Sequence, residues 1–189
     1  MNVFDFDGTI YDGESSVEFI LEFLKHDIKI LRYIPKLFPL MIRYAQGKVE
    51  FEEFQEKYSP IFIEYFKHNK IDLQELVKPF WDKHEKQIKP FFQEIHREDD
   101  VIITASPEFM MHDICERIGV KHLIASDFDI KTGEVRKACF RSGKIPCFKE
   151  AFPDGEIDDF YTDSVNDKFL FPLAKRVFMV KGNKITQIK

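Results

Sequence analysis

Apolar and polar positions change rhythm twice along the 189-residue chain. Residues Asn2 to Asp7 read as a short strand that ends at Gly8. From Gly13 to about Pro90 the spacing becomes helical. Val17, Ile20, Leu21 and Leu24 form an apolar stripe on a first helix that starts at Ser15 or Ser16. Further helices are expected around 28–45, 50–68 and 72–88, broken or bent near Pro35, Pro39, Pro60 and Pro79.

Beyond residue 90 strand-like and helix-like runs alternate. Asp100 to Thr104 is a strand and Pro107 to Ile118 a helix, with Ser106 as its N-cap, Pro107 its first residue and Gly119 its stop. A strand near Lys121 to Ala125 follows, with a hairpin turning at Lys131 to Glu134 and a helix near Ile145 to Phe152. The chain closes with a strand at Ile157 to Thr162, a short helix at Asn166 to Leu173 and a strand at Val177 to Val180. Alternation of this kind predicts an α/β class protein with a parallel, Rossmann-like sheet. The core is expected from residues 1–12 and 91–189, and 13–90 is an all-helical insertion, or cap.

Composition narrows the function. A chain that is 44% hydrophobic, with 21 phenylalanines, can bury a substantial core. Its net charge of -5 argues against a nucleic-acid partner bound through a general basic surface. Cys115, Cys139 and Cys147 are odd in number and form no C-x-x-C pair, so they read as reduced thiols, two of them in the core. There is no basic-then-apolar leader pattern and no bilayer-long apolar run, so the expected location is cytoplasmic.

The candidate chemistry gathers where strands end, since ligands of open α/β sheets bind beyond the strands' carboxyl ends. Asp5 and Asp7 end the first strand, Thr104 the second, and Asp163 the one reading IDDFYTD. In an extended chain Asp5 and Asp7 leave the same face, where two carboxylates repel unless a cation or a proton intervenes. With Asp163 they make an oxygen-rich set suited to Mg²⁺. Thr104 stands at a strand-to-helix junction that suits a phosphate, and Lys144 could supply a point charge to it. Each also has a plain structural reading: a chance D-x-D turn, a capping box at Ser164-x-x-Asp167, capping hydroxyls at Thr104 and Ser106, a solvated surface lysine.

Taken together, these residues resemble the haloacid dehalogenase superfamily. Asp5-Phe6-Asp7-Gly8-Thr9 is its D-x-D-G-T motif in full, and Thr104 in VIITASP matches the second motif. Asp163-Ser164-Val165-Asn166-Asp167 matches the acidic fourth motif, with Thr162 where glycine is common. Lys144 fits the spacing of the motif lysine better than Lys149. A helical insertion straight after the first motif is similar to the phosphoserine phosphatase-like branch with its C1 cap, as are SPEFM and the FDIKTGEV hairpin.

The resemblance implies Mg²⁺-dependent hydrolysis of a small phosphorylated metabolite in two steps. Asp5 would be the nucleophile and Asp7 the acid and base. The metal would be held by Asp5, the Asp7 carbonyl and Asp163, with Asp167 in support, and the phosphate by Thr104, Ala105 and Lys144. Glu14 occupies the spacing of a family glutamate that recognises a substrate amine, or simply opens the first cap helix. No arginine stands between Arg43 and Arg97 to meet a substrate carboxylate, which argues against phosphoserine itself. Two alternatives stay open: a phosphomutase or phosphotransferase on the same fold, and a non-hydrolytic receiver-like module.

Residues 28–48 hold Lys29, Arg32, Lys36, Arg43 and Lys48 without a single carboxylate, amid large apolar residues. This segment could approach an anionic membrane. The two prolines favour instead a cap helix pair with snorkelling cations, and membrane association is the lesser reading. Trp81 and the nearby phenylalanines read as cap core.

Overall fold

The computed structural model describes every residue except 46, 47, 49–52, 54, 55, 70 and 71. Its seven strands are β1 (Val3–Phe4), β2 (Val101–Pro107), β3 (His122–Phe128), β4 (Val135–Lys137), β5 (Ile157–Thr162), β6 (Ala174–Lys181) and β7 (Lys184–Gln187). They form one sheet in the order β4-β3-β2-β1-β5-β6-β7. The five central strands are parallel, and β4 and β7 pair antiparallel at the edges. The expected Rossmann-like α/β core is present, but the sheet is mixed. The unforeseen β7 turns back at Gly182, whose positive φ of 57° suits glycine in a tight hairpin.

The period of two sorts the strand side chains onto two faces. Val3, Val101, Ile103 and Phe160 face a cluster with Cys147 and Phe148 of the helix α7 (Lys144–Ala151). Phe4, Ile102 and Tyr161 face the other way, towards α5 (Pro90–Ile95) and α6 (Glu108–Arg117). That second cluster continues into α1 (Ser15–Phe23), α3 (Ser59–His68) and α4 (Gln74–His84), while α2 (Ile34–Ala45) contributes no buried residue among its described side chains. Among the described residues 13–90 hold helices and turns, and no helix of the chain is long and apolar enough to cross a membrane.

Several sequence expectations need correction. The first helix buries Ser15, Phe19 and Phe23, so Val17, Ile20 and Leu21 face solvent, Leu21 at 55% exposure. Both stripes have helical spacing, and the larger phenylalanines take the inner one. The run 28–45 divides into a 3-10 turn (Ile28–Arg32) and α2, which continues through Pro39. Pro35 sits in the first turn, where no N–H is needed. Of the helix expected at 50–68, residues 50–52, 54 and 55 lie outside the described residues, and α3 carries its end. The run 72–88 is α4, which passes through Pro79, then a 3-10 turn at Glu85–Gln87.

Pro107 ends β2 instead of beginning a helix, and Ser106 caps nothing. The helix expected at Asn166 to Leu173 is a pair of 3-10 turns, Val165–Asp167 and Phe171–Leu173. Pro172 denies that stretch a backbone donor. All three cysteines are buried and free. Trp81 is more than cap core: its indole N–H donates to the Met110 carbonyl at 2.6 Å, and its ring packs edge-on against Phe6 and Tyr11.

Candidate active site

Chain order in the sheet reverses at β1, with β2 and β3 on one side and β5 and β6 on the other. This opens a crevice at the strands' carboxyl ends. β1 stops at Phe4, three residues earlier than the alternation implied, so Asp5 and Asp7 stand on the segment that leaves it. The Asp5 N–H still bonds to the Tyr161 carbonyl at 2.9 Å, which pins Asp5 beside the end of β5. Gly8 then turns the chain with a positive φ of 68°. The side chain of Asp163 lies against this turn, so closely that a Cβ on Gly8 would sit 2.2 Å from its Oδ2.

The two aspartates face different partners. Asp5 accepts from Lys144 Nζ at 2.7 Å on one oxygen and from the Thr9 hydroxyl at 3.2 Å on the other. Thr9 Oγ1 also accepts from the Asp163 N–H at 2.8 Å, which ties β5 to the first motif. Asp7 accepts from the Ser15 N–H at 2.6 Å and from the Ser106 hydroxyl at 2.7 Å. The Ser15 donor is the first amide of α1, so a free helix-end N–H and the positive dipole end meet the carboxylate. Same-face crowding in a strand therefore gives way to a carboxylate on a cation and a carboxylate on a helix end.

Lys144 opens α7 and is 3% exposed. It bridges Asp5 and Asp167, the latter at 2.8 Å, and Asp167 also accepts from the Thr162 hydroxyl at 3.0 Å. Lys149, the other candidate, lies exposed one turn further along. Burial works against the charge on Lys144, but Asp167 and Asp5 overcome it and hold its pKa above the ordinary lysine value. Burial pushes Asp5 up to about 8; Lys144 opposes this, while Asp167 and Asp163 add to it. Asp7 is raised by burial against the pull of Ser15 and Ser106, and Asp163 by burial and then by Asp167.

Two neighbouring groups fill in the site. Thr104 is buried, and its hydroxyl accepts from the Ser106 N–H at 3.1 Å. The ladder between β2 and β3 breaks between Ile103 and Pro107, the stretch that carries Thr104, Ala105 and Ser106. Glu14 precedes α1, makes no capping hydrogen bond and is pushed up to about 7 by partial burial, then by Asp7 and Asp163.

Three contributors escaped the sequence reading. In sequence Ser106 reads as a helix cap, Thr9 stands out only as part of a motif, and Lys89, which donates to the Gly8 carbonyl, carries no pattern at all. The spacing of TASP held the only signal for Ser106, because its strand continues to Pro107, three residues beyond the expected end at Thr104.

A divalent cation fits this donor set. Among the described residues Lys144 is the one cation in contact with the buried carboxylates Asp5 and Asp167, and Asp163 accepts no hydrogen bond from any described side chain. Among the described residues no three Asp, Glu, His or Cys side chains converge as a complete cage. A hard cation held here would rest on the carboxylates of Asp5 and Asp163 and on a backbone carbonyl, with water completing the shell. Asp167, with its oxygens on Lys144 and Thr162, supports from behind.

The haloacid dehalogenase-like hydrolase family matches residues 3–171 of the chain. No curated protein matches it. Among solved structures, a protein of unknown function from Bordetella pertussis Tohama I is similar with TM-score 0.72 and 20% identity, over 94% of this chain and 87% of that one. A phosphoserine phosphohydrolase-like protein from Francisella tularensis subsp. tularensis SCHU S4 gives TM-score 0.60 and 18% identity, over 94% and 86%. A phospho-aspartyl intermediate analogue of phosphoserine phosphatase gives 0.50 and 14%, over 93% and 83%.

Proposed function

This chain belongs to the haloacid dehalogenase-like hydrolases, and from that premise we propose that it is a Mg²⁺-dependent phosphatase that hydrolyses a small phosphate monoester through an aspartyl-phosphate on Asp5. The observation that carries this reading is the unequal pair of aspartates. Asp5 lies buried with one oxygen on Lys144 and one on Thr9, while Asp7 is held two residues away by the end of α1 and by Ser106. A phosphoserine phosphatase of similar fold has been captured as a phospho-aspartyl analogue, which supports the covalent route.

In this mechanism an Asp5 oxygen attacks phosphorus, and the bond from phosphorus to the leaving alcohol breaks. Asp7, whose burial favours its protonated form, gives its proton to the departing oxygen. Water then attacks the aspartyl-phosphate; Asp7 takes the water's proton, and Asp5 is regenerated with release of phosphate. Lys144 compensates charge on Asp5 and on the transferred oxygens, oriented by Asp167, which Thr162 fixes in turn. Thr104 and the Ala105 backbone border the phosphate position. Bound Mg²⁺, held by Asp5, Asp163 and the Asp7 carbonyl, would supply Lewis-acid neutralisation of the phosphoryl oxygens.

Residues 13–90 serve as a cap over this crevice, with Glu14 at its rim towards the leaving group. The retained proton carrier favours an enzyme over a receiver-like module, which has no use for an acid beside its phosphate acceptor. The first experiment is hydrolysis of an aryl phosphate by the purified protein, with Mg²⁺ and with chelator, beside Asp5→Asn. Release that needs both Mg²⁺ and Asp5 supports the proposal, and product analysis with added alcohols separates hydrolysis from phosphotransfer. Release unchanged in Asp5→Asn refutes it.

A further inference from the structure

Helices on a globular protein usually turn their apolar stripe inward. Two consecutive helices here also carry an apolar stripe outward. Among the described side chains of α2 the exposed ones are Pro35, Lys36, Phe38, Pro39 and Ile42, of which the four apolar ones are spaced i, i+3, i+4 and i+7. Phe38 is 57% exposed. Along α1, Val17, Ile20 and Leu21 repeat the pattern, and in the turn between the helices Ile28 stands 72% exposed. Most of the large apolar side chains exposed among the described residues lie in this one run of chain.

The charge carried by the segment from the turn through α2 has one sign. Residues 28–48 contain five Lys or Arg and no Asp or Glu, in a chain whose net charge is -5. Lys36 and Arg43, seven residues apart on α2, share the flank of its apolar stripe. Lys36 faces Glu64 at 3.4 Å and Arg43 faces Glu53 at 2.6 Å, whereas Lys29 and Arg32 have no acidic partner among the described residues. The carboxylates of α1 are engaged elsewhere, Glu18 with Tyr11 at 2.8 Å and Glu22 with Lys25 and Lys83.

We propose that α1, the turn at 28–32 and α2 form a face that docks on an anionic lipid surface. The apolar stripe would enter the boundary between headgroups and acyl chains, with the cations at headgroup level. Snorkelling lets Lys and Arg reach those headgroups while their stems cover apolar surface. A second copy of the chain fits less well, because a two-fold interface sets the same patch against itself and brings the same cations together. Neither helix crosses the bilayer, so contact stays at the surface.

The test is sedimentation of the full chain with vesicles of phosphatidylglycerol and phosphatidylcholine, beside vesicles of phosphatidylcholine alone. Expected are binding to the anionic vesicles, weakening as salt rises, and about tenfold or more loss of binding in Lys29→Glu with Arg32→Glu. Phe38→Ser with Ile42→Ser should cause a comparable loss. Ile188→Ser, which removes an exposed apolar side chain elsewhere, should bind as the parent does. All the substituted residues are exposed, and circular dichroism checks that each variant remains folded. Absence of binding to anionic vesicles, or parental binding by both double variants, overturns the proposal. So does a concentration-dependent dimer that Phe38→Ser with Ile42→Ser abolishes while vesicles bind nothing. Binding is read without turnover, so this outcome is independent of the fate of Asp5.

Discussion

Replacing Lys144 by methionine removes a buried charge and keeps most of its volume. The residue is 3% exposed and bridges Asp5 at 2.7 Å and Asp167 at 2.8 Å, so the change strands two carboxylates in a site from which water is largely excluded. Breaking a buried ion pair by deleting one partner costs about 3–5 kcal/mol. Asp5 is already driven up to about 8 in the presence of the lysine, and without it Asp5 is pushed further towards its protonated form. The folded state then binds more protons than the unfolded chain above the ordinary carboxylate range. Stability of the variant must therefore fall as pH rises, and its deficit against the parent must begin to widen as pH reaches about 8, where Asp5 of the parent gives up its proton and Asp5 of the variant does not.

Urea denaturation in chelator, followed by far-UV circular dichroism at pH 5, 7 and 8, measures that deficit directly. Asp167→Asn in the Lys144→Met background should recover part of it, because one stranded charge is gone. Turnover of an aryl phosphate with Mg²⁺ should drop by roughly 10² or more in Lys144→Met and stay near parental in Lys149→Ala. A deficit under about 1 kcal/mol at pH 7, or one that does not grow with pH, would refute the claim that Lys144 neutralises buried carboxylates.

Other consequences are more local. Gly8→Ala combines a left-handed backbone with a Cβ 2.2 Å from Asp163 Oδ2; it should cost about 1–3 kcal/mol and blunt the rise in melting temperature that Mg²⁺ produces in the parent. Ser106→Ala removes a donor from Asp7 and should lower kcat about tenfold with KM little changed, as steady-state kinetics would show. In metal-free protein Asp5 at about 8 keeps a proton that an unfolded aspartate, at about 4, has lost. Parental stability should therefore decline from about pH 4 to pH 8, and Asp5→Asn should flatten that decline in the same urea titration.

The α/β core was legible because its strands are short apolar runs cut off by turn residues, and DFDGT, TASP and TDSVND fall at their ends. The edge strand β7 was not. Its residues are all exposed, and KITQ offers no apolar face to mark a strand. Helical spacing located α1 but not its inner face, since Ser15, Phe19 and Phe23 and the set Val17, Ile20 and Leu21 both repeat every three to four residues. Only the packing of Phe19 against Phe80 and of Phe23 against Tyr65 decides between them. The carboxylates of the candidate site were visible in sequence; their partners were not, because Lys144 lies 139 residues from Asp5, and Ser106 lies 99 from Asp7.

That difference in partners bears on the chemistry more than the motif does. Asp5 and Asp7 are the same residue type two positions apart, so sequence alone gives no reason for one to bond to phosphorus and the other to carry protons. The structure supplies one. A carboxylate opposed by a lysine and a threonine hydroxyl has an oxygen oriented for attack and a compensating charge close by. A carboxylate at a helix end, with two donors and no cation in contact among the described residues, can hold or release a proton without moving its partners. Environment separates two chemically identical groups into different roles. Exchanging the environments should therefore do more damage than weakening either: Ser106→Lys, which sets a cation against Asp7, should suppress proton transfer more than Ser106→Ala. The gap should widen for substrates whose leaving groups most need a proton, and an equal loss across leaving groups would sink this division of roles.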